Sequence, residues 1–161
     1  MKKNAALFVL VMLLGGVIHA QEVKNINSQA AFDLTQQPAT YLVDVRSVAE
    51  YVLVGHPTMA MNVPLSFWDE RQANFITNEN FVQNLKRRFK PEDTLIFMCR
   101  TGGRSLRAAQ SALSAGYSKV YNVIEGFEGQ GDEKGYRTKG GWKNSSLPYT
   151  YQVNAKLAYQ P

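Results

Sequence analysis

Between Val23 and Ile124 the chain alternates strand-length apolar runs with amphipathic stretches, separated by Gly, Pro or short polar turns. The runs are Val23–Asn27, Tyr41–Val45, Met59–Val63, Thr94–Met98 and Lys119–Ile124. The stretches between them read as helices: Ser28–Gln37, stopped by Pro38; Ser47 or Val48 to Val54, ended by Gly55; Glu79–Phe89, capped by Asn78; and Ser105–Ala115, ended by Gly116. Thr94–Met98 is apolar at successive positions, the pattern of a strand buried on both faces. Strands that alternate with helices predict an α/β fold, a largely parallel open sheet of about five strands with helices on both faces.

The chain has 161 residues, of which 45% are apolar and 19% charged, enough for one globular domain with a core. Cys99 is the single cysteine, and His19 and His56 are the only histidines. This excludes an intramolecular disulfide framework. It also leaves too few ligands for a Cys/His zinc cluster, a haem-attachment motif or an iron–sulfur centre.

Residues 1–20 read as a secretory signal peptide, with Lys2-Lys3, an apolar stretch from Ala5 to Ile18, and Ala20 at the cut. The apolar stretch is shorter than the roughly 20 residues of a membrane helix. The expectation is therefore a periplasmic or secreted protein with no stable membrane anchor after cleavage. Residues 21–150 are expected to form the domain, and the Tyr-rich residues 151–161 a tail of unassigned structure. The formal charge is +5 and falls with the loss of Lys2 and Lys3, too little to imply nucleic acid as a partner. Lys86-Arg87-Arg88 with Lys90 reads as a solvated helix face.

From Gly126 to Gly141 glycines are frequent and mixed with charges, which reads as a long loop. It holds no nucleotide-loop pattern, and Asp132-Glu133 offers too few spaced oxygens for a calcium loop. Arg137 and Lys139 are candidates for a cationic rim near the strand ends.

The chemistry concentrates at Cys99, directly after the buried strand and before a helix, where ligands bind in open α/β sheets. In Cys99-Arg100-Thr101-Gly102-Gly103-Arg104-Ser105 the glycines let successive N–H groups turn inward as an anion-binding nest. The helix N-terminus, Arg100 and Arg104 add positive potential. Each of these favours a thiolate, the nucleophilic form, over a thiol. A plain core cysteine does not explain two glycines and two arginines within five positions.

These segments resemble the single-domain rhodanese family of sulfurtransferases. Leu42-Val43-Asp44-Val45-Arg46 matches its Asp-x-Arg strand end, with Glu50-Tyr51 on the following helix. Gly55-His56 and Met61-Asn62-Val63-Pro64 resemble its next stretch, and residues 99–105 its active-site loop. Asn122-Val123-Ile124-Glu125-Gly126-Phe127, Trp142 and Leu147-Pro148 resemble its closing segment. The chain departs from the pattern at Pro57-Thr58-Met59-Ala60, at Phe127, and in the expanded Glu128–Gly141 link.

The resemblance implies that Cys99 takes sulfane sulfur from a small anionic donor such as thiosulfate as a persulfide. Cyanide, a thiol or a protein then accepts it, and no cofactor is needed. It implies that the N–H groups from Arg100 through Thr101, Gly102 and Gly103 to Arg104 cradle the persulfide. Arg100 and Arg104 bind the donor's sulfonate, and Ser105 holds the loop end. Asp44 and Arg46 are braces, and His56 is a turn histidine satisfied by backbone. Two other readings stand beside it. Phosphatases sharing the fold need a loop one residue longer, with Arg where Ser105 stands here. A sulfur carrier without turnover, serving a protein partner, needs the same intact loop.

Overall fold

The computed structural model describes residues 22–161, and the signal-peptide assignment lies outside them. In chain order the elements are β1 (Lys24–Ile26), α1 (Ser28–Leu34), β2 (Thr40–Asp44), α2 (Val48–Leu53), β3 (His56–Pro57), β4 (Met61–Asn62), β5 (Ser66–Asp69), β6 (Asn74–Thr77), α3 (Phe81–Arg88), β7 (Thr94–Met98), α4 (Gly103–Ser114), β8 (Lys119–Val123), β9 (Gln130–Gly131), β10 (Arg137–Lys139), a single 3-10 turn (Lys143–Ser145) and β11 (Tyr149–Thr150).

Five strands make the central sheet in the order β1-β8-β7-β2-β4, with every pair parallel. β7 is in the middle, with Val43 opposite Phe97 on one side and Leu95 opposite Val120 on the other. Its side chains alternate between two cores, which explains its unbroken apolar run. Leu95 and Phe97 join Val43, Val45 and Val120 against Phe81 and Leu85 of α3 and Ala108, Ala109 and Ala112 of α4. Ile96 and Met98 join Leu42 and Val123 against Ala31 of α1, Phe127 and Trp142. The α/β fold with a largely parallel five-stranded sheet and helices on both faces is the one the sequence predicts.

Several boundaries differ from the sequence reading, each for a local reason. Asn27, not Ser28, caps α1 by accepting from the Ala30 N–H at 2.8 Å. Ser28 is buried and gives its N–H and hydroxyl to Glu125 Oε2 at 3.0 and 2.8 Å. α1 ends at Leu34, because the carbonyls of its last turn are taken by the N–H groups of Thr35, Gln36 and Gln37 in turn geometry. Asn78 does not cap α3: its Nδ2 donates to the Pro64 carbonyl at 2.8 Å, its Oδ1 accepts from Asn80 N–H, and the helix opens at Phe81. The third strand shrinks to Met61–Asn62, and His56–Pro57 instead pairs antiparallel with β11.

The β5–β6 hairpin has no counterpart in the sequence reading. All four residues of β6 are exposed, so no hydrophobic alternation marks it. Its turn has no glycine; Asp69 closes it by accepting from the N–H groups of Arg71 and Gln72, with Ala73 at φ 46°.

The glycine-rich segment is ordered, contrary to the expected loop. β9 and β10 form a small antiparallel ribbon, and Asn144 Nδ2 donates to the carbonyls of Glu128, Arg137 and Gly140. Trp142, with 0% exposure, anchors it: its N–H reaches the Gly126 carbonyl and its ring sits edge-on to Phe32. The last residues also pack down. Leu157 O accepts from Asn62 N–H at 2.8 Å, Ala158 O accepts from Arg88 at 2.6 Å, and Tyr159 lies against Phe67.

Trp142 is the largest fully buried side chain and ties the closing segment to α1. Trp142→Ala is expected to cost about 3–5 kcal/mol, read as a fall in the urea unfolding midpoint.

Candidate active site

Cys99 is the first residue beyond β7, at the carboxyl end of the central strand, and is 1% exposed. Its Sγ faces two donors, the Gly102 N–H at 3.2 Å and the Ser105 hydroxyl at 3.3 Å. Ser105 Oγ also lies 2.9 Å from the Gly102 carbonyl, so its one proton serves sulfur or carbonyl. Gly102 stands at φ 95° as the residue before α4, and a Cβ there would run into the Ile124 carbonyl. Only glycine allows this turn, which brings its own N–H to the sulfur.

Among the described residues, the N–H groups of Arg100, Thr101, Gly103, Arg104 and Ser105 donate to no protein acceptor. The last three are the free amides of the first turn of α4. Five unused donors in the loop that begins at this sulfur, and the helix N-terminus that follows, form a site that accommodates negative charge.

The closing segment holds this loop from behind. Phe127 N–H donates to the Cys99 carbonyl at 2.8 Å and Glu128 N–H to the Arg100 carbonyl at 3.0 Å. Gly126, at φ 67°, passes so close that a Cβ would lie 2.5 Å from the Arg100 carbonyl and the Thr101 nitrogen.

Asp44 and Arg46 stand at the end of the neighbouring strand, both wholly buried. Arg46 Nε and Nη2 bind the Asp44 carboxylate, the shortest contact being 2.6 Å, and Nη2 also donates to the Gly55 carbonyl at 2.8 Å. The guanidinium lies 4.4 Å above the Phe127 ring. Asn62 Nδ2 donates to the Asp44 and Arg46 carbonyls, each at 2.9 Å. His56 is stacked on Tyr51 with Nδ1 2.8 Å from the Tyr51 carbonyl, a backbone contact of the kind the sequence suggested.

The two loop arginines part company. Arg100 is exposed and forms no ion pair among the described residues. Arg104 is committed to Glu50 of α2 in a two-pronged pair at 2.6 and 2.7 Å. Its guanidinium also lies 5.3 Å over the Phe75 ring of the β5–β6 hairpin. As it stands, Arg104 is therefore held by a carboxylate rather than free for a donor's sulfonate. Glu50 also closes the capping box of α2, accepting from the N–H and hydroxyl of Ser47. Arg137, a candidate for a cationic rim, is spent within its own ribbon on the Gly129 carbonyl and Glu128.

Glu50 is the residue the sequence reading left without a role. The Ser47-x-x-Glu50 spacing marks the capping box, but nothing local announces a partner 54 positions away. Burial pushes the Glu50 carboxyl up, the largest single effect. The hydrogen bond and charge of Arg104 and the Ser47 donors together outweigh it and leave the carboxyl below its ordinary value. Arg104 is raised, chiefly by the Glu50 hydrogen bond, against its own burial; the charge of Cys99 contributes further.

Two outcomes are expected. Gly126→Ala should displace the Arg100–Thr101 backbone and slow alkylation of Cys99 or its sulfuration about tenfold or more, since misplacements of ~1 Å carry such costs. The Glu50 carboxyl titrates lower when folded than when unfolded. Its stabilisation is thus complete above the ordinary carboxylate range and is lost as pH falls through that range and below. The stability advantage of wild type over Glu50→Gln should be on the order of 1 kcal/mol at neutral pH and fall away as acid protonates the carboxyl, as read in urea titrations at a series of pH values.

The comparisons with known proteins agree with this geometry. A family model described as the rhodanese-like domain matches residues 20–132. An uncharacterized protein of Rickettsia rickettsii is 34% identical over 132 residues, covering 80% of this chain and 98% of the relative. An Arabidopsis thaliana protein named thiosulfate sulfurtransferase 18 is 32% identical over 108 residues, covering 67% of this chain and 78% of the relative. A crystal structure of an M. tuberculosis protein superposes with a TM-score of 0.71 at 33% identity, covering 81% of this chain and 99% of that one. With its parallel sheet, its cysteine at the end of the central strand and the loop clasped by the Gly126–Glu128 segment, the chain belongs to the rhodanese-like domain family.

Proposed function

We propose that the protein is an exported sulfurtransferase that carries sulfane sulfur on Cys99. The observation that carries this reading is the Cys99 sulfur, set among its two donors and a loop with five further N–H groups unused by the protein. A thiolate, a persulfide or an approaching anion is what such a set of donors accommodates. Membership of the rhodanese-like family supports sulfur transfer as the reaction class. The export part rests on residues 1–20 alone.

With thiosulfate as donor, the Cys99 thiolate attacks the outer sulfur. The bond between that sulfur and the sulfonate breaks, and its electron pair leaves with sulfite. Cys99 then carries a persulfide anion, cradled by the N–H groups of residues 100–105. Cyanide or a thiolate attacks the terminal sulfur, forms thiocyanate or a new persulfide, and returns the Cys99 thiolate. The loop supplies the electrostatic stabilisation at each stage. A thiolate requires no general base, and among the described residues the hydrogen-bond partners of Sγ are a backbone N–H and a hydroxyl.

Intact mass of the reduced protein before and after thiosulfate tests this. The expected result is a gain of one sulfur atom, lost on adding cyanide and absent in Cys99→Ser. No gain with thiosulfate or with another sulfane-sulfur donor, although Cys99 remains open to alkylation, would overturn it.

A further inference from the structure

Sulfur transfer at Cys99, as proposed above, leaves the charge of the preferred donor open, and the inference here rests on that reading. The loop carries two arginines, which at first sight equips it for a dianion. The structure cancels one of them. Glu50 engages both ends of the Arg104 guanidinium, at 2.6 and 2.7 Å, and Phe75 covers its face. The carboxylate is itself fixed, because the same Oε2 accepts from the N–H and hydroxyl of Ser47 at the start of α2. Both side chains are only 18% exposed, so the pair is partly shielded from solvent. A donor that recruited Arg104 would have to compete with a carboxylate already in bidentate geometry.

We infer that Glu50 is a specificity-determining residue: by neutralising Arg104 beside the Cys99 loop, it sets the site to singly charged sulfane-sulfur donors of the thiosulfonate class, R–SO2–S−, in preference to the doubly charged thiosulfate. Arg100 and the loop amides then meet one negative charge on the donor. The transfer chemistry is the same for both classes. The Cys99 thiolate bonds to the terminal sulfur, the bond from that sulfur to the sulfonyl group breaks, and the electron pair departs with sulfinate or, from thiosulfate, with sulfite. A change of one unit in the local field acts twice as strongly on a dianion as on a monoanion, so the ratio between the two donors reads Glu50's charge directly. Arg104 stands in the first turn of α4, between Gly102 and Ser105, which both contact the Cys99 sulfur, so the pair lies within electrostatic reach of it.

The test measures the second-order rate of persulfide formation on Cys99 with thiosulfate and with the methanethiosulfonate anion, each confirmed by intact mass. Glu50→Gln keeps a residue able to close the α2 capping box, so the helix start is retained. It should raise the thiosulfate-to-methanethiosulfonate rate ratio about fivefold, and the rise should shrink at high salt. In the double variant Glu50→Gln with Arg104→Gln, the ratio should return to the wild-type value. An unchanged or lower ratio in Glu50→Gln, with wild type sulfurated by both donors, would overturn the inference and leave sulfur transfer standing. A ratio that stays raised in the double variant would overturn it too, since Glu50 would then act otherwise than through Arg104. If neither donor sulfurates wild-type Cys99, sulfur transfer itself falls, and the inference with it.

Discussion

Arg46 has no access to solvent, and the arrangement around Cys99 depends on how its charge is met. Taking a guanidinium out of water costs several kcal/mol unless geometry and hydrogen bonds compensate. Asp44, two residues earlier on the same strand end, supplies the counter-charge, and the Gly55 carbonyl supplies a further acceptor. The ring of Phe127 covers the guanidinium face. Only Nη1 lacks a protein partner among the described residues. The same Phe127 gives its N–H to the Cys99 carbonyl. One buried cation thus links the end of β2, the turn after α2, and the segment that grips the Cys99 loop.

The loop is built mostly of backbone, and its precision comes from two close approaches. Gly102 lies against Ile124, and Gly126 lies against Arg100 and Thr101. Neither leaves room for a methyl group, so the curve of the loop is fixed by contacts rather than by propensity. This rigidity keeps five amides free of the protein's own carbonyls. The closing segment and the loop are therefore one mechanical unit. The ordered glycine-rich ribbon follows from it, because Trp142 and Lys143 hydrogen-bond to the carbonyls of Gly126 and Phe127 and extend the clasp.

The electrostatics are graded by position. The deepest pair, Asp44–Arg46, is a brace. The half-sheltered pair, Glu50–Arg104, joins α2 to the first turn of α4 and carries the β5–β6 hairpin through Phe75. The outermost cation, Arg100, is exposed. A cationic loop in sequence is therefore less cationic in space than its residue count.

The strand–helix alternation determined the fold by itself: apolar runs such as Thr94–Met98 are buried on both faces only in a parallel sheet with covering layers. The position of Cys99 was equally legible, because a lone cysteine after such a strand, followed by two glycines and a helix, falls at the carboxyl edge of any fold of this type. Tertiary structure decided the rest, since partners far apart in sequence leave no local signal. Ser28 gave up its capping role to Glu125, and Asn78 its own to Pro64. The β5–β6 hairpin escaped notice because β6 buries nothing. Arg104 could be read as a ligand for an anion only until Glu50, brought beside it by the packing of α2 and α4, claimed it. Composition tells how many charges a chain has; only the fold tells which of them are already matched.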